Sequence, residues 1–471
     1  MGMPVIFEGP EAKGAARFIR SPEGNKRWSI KAVADVFEVH VRLAALRYLS
    51  SECHYHVRIV LRYRSPQLRE YEQNGTEEFM QDFHVVIIGA GLGGLCLAQG
   101  LKSAGISFDV YERDAAPDSR LQGYRIRIDV DGQKALQASL QPELFDLFRA
   151  TASISVSAGR FLTPQLLPIS GRAPTSWDTD EDEDAGDLSV NRQTLREILL
   201  SEIEEHVHFG HSFTGYRCMA DGSVEASFEN IPPVSCNLLV GADGVNSQVR
   251  RQLAPYAEPV DTGSLCVYGK IELPLTGGPD LLQDGTTVIF ADGCTAIFDL
   301  MRFRDDFSSL AAHHAPDCNL TPMADYLYWA LIGPVQRLGL KKYDHTQDLP
   351  VLLRTAMRGW HPDLKQIVSR SKPAAVSALP VRSGRPDALW PFGAVTLLGD
   401  AIHAMSPAGG LGANTALEDA RVLAEILADA CAAARPANIA LLDYEADMRD
   451  RAARAIDASE RGAAMLFENI A

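Results

Sequence analysis

The stretch Phe83 to Glu112 constrains the fold more than any other part of the chain, because its order is apolar strand, glycine-rich turn, helix, second strand and terminal acid. Phe83 to Ile88 is rich in β-branched residues and stops at glycine, as a buried strand does. Leu92 to Lys102 carries helix formers with apolar side chains at Leu92, Leu95, Cys96 and Leu101. Between them, Gly89, Gly91 and Gly94 keep the G-x-G-x-x-G spacing. In that pattern the first glycine makes the tight turn and the second lets a pyrophosphate approach the backbone. The third lets helix and strand pack closely, and the helix N-terminus faces the phosphates. Phe108 to Tyr111 reads as the next strand. Glu112 closes it about 20 residues downstream, where a ribose-binding carboxylate belongs. A glycine fingerprint alone is weak; with both strands, the helix and the acid in place it reads as a dinucleotide clamp.

With 471 residues the chain exceeds the roughly 250–300 at which a single core stops growing, so two domains are expected. Its net charge of −16 argues against a nucleic-acid partner, which needs clustered Lys and Arg. The eight cysteines are scattered without a C-x-x-C pair, so neither zinc nor thiol exchange is expected and a reduced, cytoplasmic chain fits best. The first residues lack a basic and apolar leader, and no run of about 20 apolar residues offers a membrane span.

Residues 1 to 80 hold twelve Lys or Arg against ten Asp or Glu, and read as an extension of unknown role. Within it, Ser29 to Leu49 has helical spacing. After Glu112 come Arg113 and a loop, then Arg120, Arg125 and Arg127 in a segment that ends in strand-like alternation. These arginines suit an anionic cofactor edge or an exposed strand. Asp178 to Asp187 has seven acidic residues in ten, a self-repelling run that reads as a solvated loop. Asn191 caps a helix to Glu205, with Arg192 in its first turn. Cys236 to Val240 is a buried strand leading into Ala242-Asp243-Gly244. Leu265 to Leu273, Thr286 to Phe290 and Thr295 to Phe303 read as strands of a separate sheet, and Thr321 to Ser371 as helical. Ala394 to Leu398 is a buried strand entering Gly399-Asp400 and His403. A turn with Pro407, Gly410 and Gly412 follows, then a long helix from Ala413 to Ala434.

Together these stretches resemble the single-component FAD-dependent aromatic hydroxylases and epoxidases. Three motifs in order carry the resemblance: Gly89 to Gly94; Ala242-Asp243-Gly244 with Ser247 and Arg250; and Gly399-Asp400 with His403, Pro407, Gly410, Gly412 and Asn414. It spans roughly Asp82 to Arg454. It implies that Glu112 holds the adenosine ribose, that Arg192 contacts FAD, and that Asp400 binds the ribityl chain or adjoining phosphate. The backbone at Gly412, Ala413 and Asn414 would meet the isoalloxazine. Arg113, Arg120, Arg127 and Asp243 would lie at the cofactor, Arg120 as an NADPH contact, and His403 would brace the turn or act directly.

The fold implied is α/β: a Rossmann-type FAD-binding domain from residues 82–170, 188–255 and 390–471, with a second, mixed-sheet substrate domain at 256–389. The chemistry implied is reduction of FAD by NAD(P)H, capture of dioxygen at flavin C4a, and transfer of one oxygen to a small organic, possibly aromatic, substrate. Such chemistry needs a cavity that excludes water. Tyr268, Phe290 and Phe298 fall on the expected middle sheet as cavity lining or as ordinary core. No catalytic side chain or metal ligand is assigned. Neither substrate nor oligomeric state can be read. A flavin reductase of the same fold, or a non-catalytic flavin-binding protein, remains as an alternative.

Overall fold

The computed structural model describes residues 83–119, 124–154, 159–169, 186–273, 285–291, 293–344, 346–433 and 435–467, and four backbone strands before them. The chain divides into two units, Met1–Gln81 and Asp82–Ala471.

In the second unit a five-stranded sheet runs in the order Val207–Phe209, Ser107–Glu112, His84–Ile88, Leu238–Gly241, Val395–Leu397. Every neighbouring pair is parallel. Parallel strands are covered on both faces and therefore read as continuous apolar runs; Val85, Val86 and Ile87 have no exposed surface. Each such side chain contributes roughly 1.5–3 kcal/mol by leaving water. The helix Leu92–Ser103 is buried nearly all round, because the helix Gly412–Ala432 lies against it. An apolar stripe alone would not suffice for that position.

A six-stranded mixed sheet has the order Ser377–Ser383, Val260–Glu272, Tyr326–Pro334, Cys294–Met301, Thr286–Ala291, Arg160–Leu162. Only the last pairing is parallel. One face, with Leu265, Val267, Phe298 and Trp329, packs on the helices Leu349–Ala356 and Pro362–Ser369. The opposite face carries Cys266, Tyr268, Ile297, Tyr328 and Phe290. The edge strand Arg160–Leu162 comes from a segment expected in the nucleotide-binding part.

Two expectations are corrected. Thr321 to Ser371 is not helical throughout, since Tyr326–Pro334 is a central strand. Its Tyr-Leu-Tyr-Trp-Ala-Leu-Ile run is buried on both faces, where periodicity cannot separate strand from helix and aromatic content is the better guide. In the first unit the described parts of Ser29 to Leu49 are strand rather than helix. Arg27–Lys31 and Glu38–Arg42 pair antiparallel, in keeping with the polar–apolar alternation of Glu38-Val39-His40-Val41-Arg42. The acidic run up to residue 185, and Arg120, lie outside the described residues.

Candidate functional site

The three motifs meet at the carboxyl ends of the parallel strands, where open α/β sheets bind their ligands. Gly89, at φ +110°, turns the chain out of His84–Ile88. A Cβ there would lie 2.5 Å from the Ala242 carbonyl oxygen, so the first two motifs touch. The Ala242 N–H donates to the Ile88 carbonyl at 2.8 Å. Arg250, fully buried, donates to the carbonyls of Val245 (3.0 Å) and Ala401 (2.9 Å), binding the second motif to the third.

Gly91 is different from its neighbours. A Cβ on it would meet nothing within 4 Å, whereas one on Gly94 would sit 2.1 Å from the Gly89 carbonyl oxygen. Gly91 is also the N-cap of Leu92–Ser103 and gives it no side-chain cap. Open space therefore lies over unsatisfied N–H groups, which suit an anion. Glu112 is buried, its carboxylate accepting from the Ala90 N–H and the Asp114 N–H, both at 2.9 Å. It holds the turn from below through these two backbone groups. Arg113 next to it is exposed.

Asp243 Oδ2 accepts from the Gln248 N–H at 2.6 Å, while Oδ1 is buried with no partner among the described residues. Burial holds this carboxyl above its ordinary range. Asp400 opens the short helix Asp400–His403 and keeps exposed surface. Enclosure by protein nevertheless pushes its carboxyl up, with His403 and Arg192 drawing it back. Exposed surface combined with enclosure is the signature of a cleft. Arg192 begins the helix Arg192–Leu200, whose first turn is capped by Asn191 through the N–H groups of Gln193 and Thr194.

The helix Gly412–Ala432 also starts without a side-chain cap or an acidic first turn. A Cβ at Gly412 would be 3.9 Å from Asp400 Oδ1, so this N-terminus borders the same cleft, with Ala413 half-buried beside it. Asn414 fixes its position. Its amide nitrogen donates to the carbonyls of Arg127 (3.1 Å) and Gly410 (3.0 Å), and its oxygen accepts from the Asp129 N–H (3.2 Å). Arg127 is thereby held at the turn, and its guanidinium pairs with Asp187. Asn414→Ala strips three backbone groups of partners and is expected to cost about 2–3 kcal/mol, read as a lower urea midpoint for the apoprotein.

The largest feature missed in the sequence is a buried ionic cluster beneath this turn. His403 Nε2 lies 2.5 Å from Asp419 Oδ2, both side chains fully buried, and the Gly399 N–H donates to the same oxygen at 2.9 Å. Arg451 donates to Asp419 Oδ1 at 2.8 Å. Burial alone would lower the His403 pKa; the Asp419 charge and hydrogen bond outweigh it and hold it above the usual value. Burial likewise works to raise Asp419, but His403 and Arg451 keep it low. His403 braces the turn from behind. Asp419 and Arg451 are 32 positions apart on different helices, so local spacing carries no signal for them.

Of the three aromatics on the mixed sheet, Phe298 belongs to the helix-covered core. Phe290 is packed against Ala408 and Leu466. Tyr268 alone of the three keeps partial exposure, on the face carrying Tyr328 and beside Tyr124.

A Rossmann-type sheet with an open glycine turn, joined to a mixed sheet with a tyrosine-bearing face, defines a dinucleotide-dependent α/β protein. The FAD binding domain family matches residues 341–459, and the NAD(P)-binding Rossmann-like domain family matches 87–151. A crystal structure from Photorhabdus luminescens, provisionally described as an FAD containing monooxygenase, is 30% identical with a TM-score of 0.68, covering 82% of this chain and 99% of that one. Klebsiella pneumoniae HpxO, complexed with FAD and uric acid, shares the fold at 22% identity and a TM-score of 0.64, covering 83% and 90%. The dual O-methyltransferase/FAD-dependent monooxygenase CTB3 of Cercospora beticola is 32% identical over 411 residues, 81% of this chain and 46% of the relative. The chain thus spans about half the length of the curated relatives it matches first. The chain belongs to the FAD-dependent monooxygenases, and its cofactor is FAD.

Proposed function

We propose that the protein uses NAD(P)H and dioxygen to hydroxylate or epoxidise a planar organic substrate, aromatic in the first instance and drawn from secondary metabolism. The observation that carries this reading is the pair of uncapped helix N-termini opening on one cleft edge, with an exposed-edge tyrosine face on the neighbouring sheet. When bound, FAD supplies the redox chemistry: reduced by NAD(P)H, it activates dioxygen at C4a, so that one oxygen atom enters the substrate and the other leaves as water.

The chain's own groups have separable tasks in this reading. N–H groups at Leu92–Gly94 take the pyrophosphate, Gly91 giving it room, and Glu112 takes a ribose hydroxyl. Asp400 and Arg192 hold the ribityl chain and adjoining phosphate. The N–H groups at Gly412–Asn414 stabilise negative charge on the reduced ring, as a helix N-terminus does. The FAD-binding part is then 82–170, 188–255 and 390–471, apart from the edge strand Arg160–Leu162, which joins 256–389 on the substrate side. Curated relatives named for combined methylation and monooxygenation support a secondary-metabolite substrate.

Labelled dioxygen tests the proposal. With NADPH and a panel of phenols and polycyclic phenols, at least one compound is expected to stimulate NADPH oxidation and gain one labelled oxygen. NADPH oxidation with label only in peroxide or water would favour a flavin reductase.

A further inference from the structure

On the cleft-side face of the mixed sheet, Lys270 has an environment that neither the cofactor nor the packing explains. It is half-buried, yet among the described residues no carboxylate pairs with it. Glu272, two residues on, is paired instead with Lys372 at 2.8 Å. The Lys270 ammonium lies 5.0 Å from the Tyr124 ring centre and 5.2 Å from that of Tyr326, and 4.0 Å from Met323 Sδ. Cation–π contacts stabilise a partly desolvated cation only modestly, less than a buried charge needs. Burial accordingly depresses the Lys270 pKa. An anion brought beside it would raise it again.

Two tyrosine side chains lie at the same place, Tyr124 in ring contact with the ammonium and Tyr328 directly across the strand pair from Lys270. Tyr124 is 6% exposed, and its hydroxyl is buried without a hydrogen-bond partner. Burial raises its pKa, so the group stays a neutral donor. Tyr328, two positions along the strand from Tyr326, shows the cleft signature met at Asp400: burial drives its phenol well up, yet part of its surface stays open. Tyr326, by contrast, is satisfied, donating to the Tyr124 carbonyl and accepting from Asn191 Nδ2. The location matches a substrate rather than the nucleotide. Tyr124 is three residues from Arg127, whose carbonyl is bound by Asn414 at the ring-facing helix start. That is at most roughly 10 Å of extended chain, about the length of a fused bicyclic ring system.

We infer that Lys270, with the hydroxyls of Tyr124 and Tyr328, forms a specificity subsite for an anionic oxygen, phenolate or carboxylate, carried on a planar aromatic substrate. The inference rests on the monooxygenase reading for the substrate's place beside the flavin. An unpaired, desolvated ammonium gains most from an anionic partner, and a site built to pair with one rejects a neutral isostere whose binding leaves it unpaired. The flanking rings of Tyr268 and Tyr124, in edge contact at 6.3 Å, supply the flat apolar walls.

Equilibrium dialysis of the FAD-loaded protein tests this without turnover, and so separately from the NADPH and oxygen chemistry. The probes are 2-naphthoate, 2-naphthol at two pH values, and 2-acetylnaphthalene, a neutral isostere of the first. The wild type is expected to bind 2-naphthoate at least about tenfold more tightly than 2-acetylnaphthalene. Lys270→Met, which keeps the apolar stem, should abolish the preference and leave the neutral probe unchanged; Lys270→Arg should retain it. Tyr124→Phe is a second variant that alters no charge, and a several-fold loss for 2-naphthoate alone is expected. Tighter 2-naphthol binding at the higher pH would assign the subsite to phenolates, and its absence alongside naphthoate preference to carboxylates. Equal affinity for charged and neutral probes in the wild type, or a preference that survives Lys270→Met, would overturn the inference.

Discussion

Gly91→Ala is expected to purify folded and to lose FAD, while Gly94→Ala, three residues away, is expected to fail at folding. The difference follows from what each new methyl meets. At Gly91 it enters open space, so the apoprotein's urea midpoint should stay within error of wild type. The same methyl occupies the approach of the pyrophosphate, and FAD affinity is expected to fall on the order of 100-fold, about 2.7 kcal/mol. At Gly94 it would stand 2.1 Å from a backbone oxygen. Neither helix nor turn can yield without breaking the strand–helix packing, and a loss above about 4 kcal/mol is expected. Flavin titration and urea unfolding on both variants check the pair. Equal FAD affinity in Gly91→Ala would remove the pyrophosphate from this turn.

Asp419→Asn should have the largest effect of any conservative change outside the cleft. It leaves His403 buried without its counter-charge, while Arg451 keeps Asp447, and breaking a buried pair in this way costs about 3–5 kcal/mol. The pH dependence has a definite sign. His403 is held above its ordinary pKa of about 6.5. Its contribution is therefore complete below about pH 6.5 and is lost as pH rises through the raised folded value. Asp419 is held below its ordinary value of about 3.9. Its contribution is present above about pH 3.9 and is lost as pH falls through the lowered value. The cluster thus stabilises most between about pH 4 and 6.5. Thermal unfolding of the wild type should weaken above that window, and the Asn variant should lose that slope. A variant as stable as wild type, with the same slope, would show that the cluster does not brace the turn.

The nucleotide-binding half was legible because its signals are local. Glycine spacing, strand ends and helix starts follow one another within a few residues, and the steric demands on Gly89 and Gly94 are met inside the same turn. Asn191 likewise announced its helix by residue type alone. What stayed hidden depends on distant partners. Asp419 and Arg451 look like surface charges on amphipathic helices until the fold stacks them under Gly399. Tyr326–Pro334 was misread because a strand buried on both faces has no alternation to display. Phe298 and Tyr268 could not be told apart in role, since their strands differ in which face parity points to the cleft, and only pairing register decides that. Lys270 drew no notice, because an isolated lysine in an alternating strand ordinarily faces water.

The edge strand Arg160–Leu162 bears on how such enzymes can be recombined. Because this piece, lying within the early nucleotide-binding sequence, completes the sheet otherwise built from residues 260–383, the substrate-facing half is not a cassette with two cut points. A chimera that imports a relative's substrate sheet must import this three-residue border with it. Crossovers placed only at the two ends of the middle segment would pair a donor's Thr286–Ala291 strand with a host's edge and leave the seam mismatched. Diversity in what the family oxidises would then be inherited in linked, non-adjacent blocks.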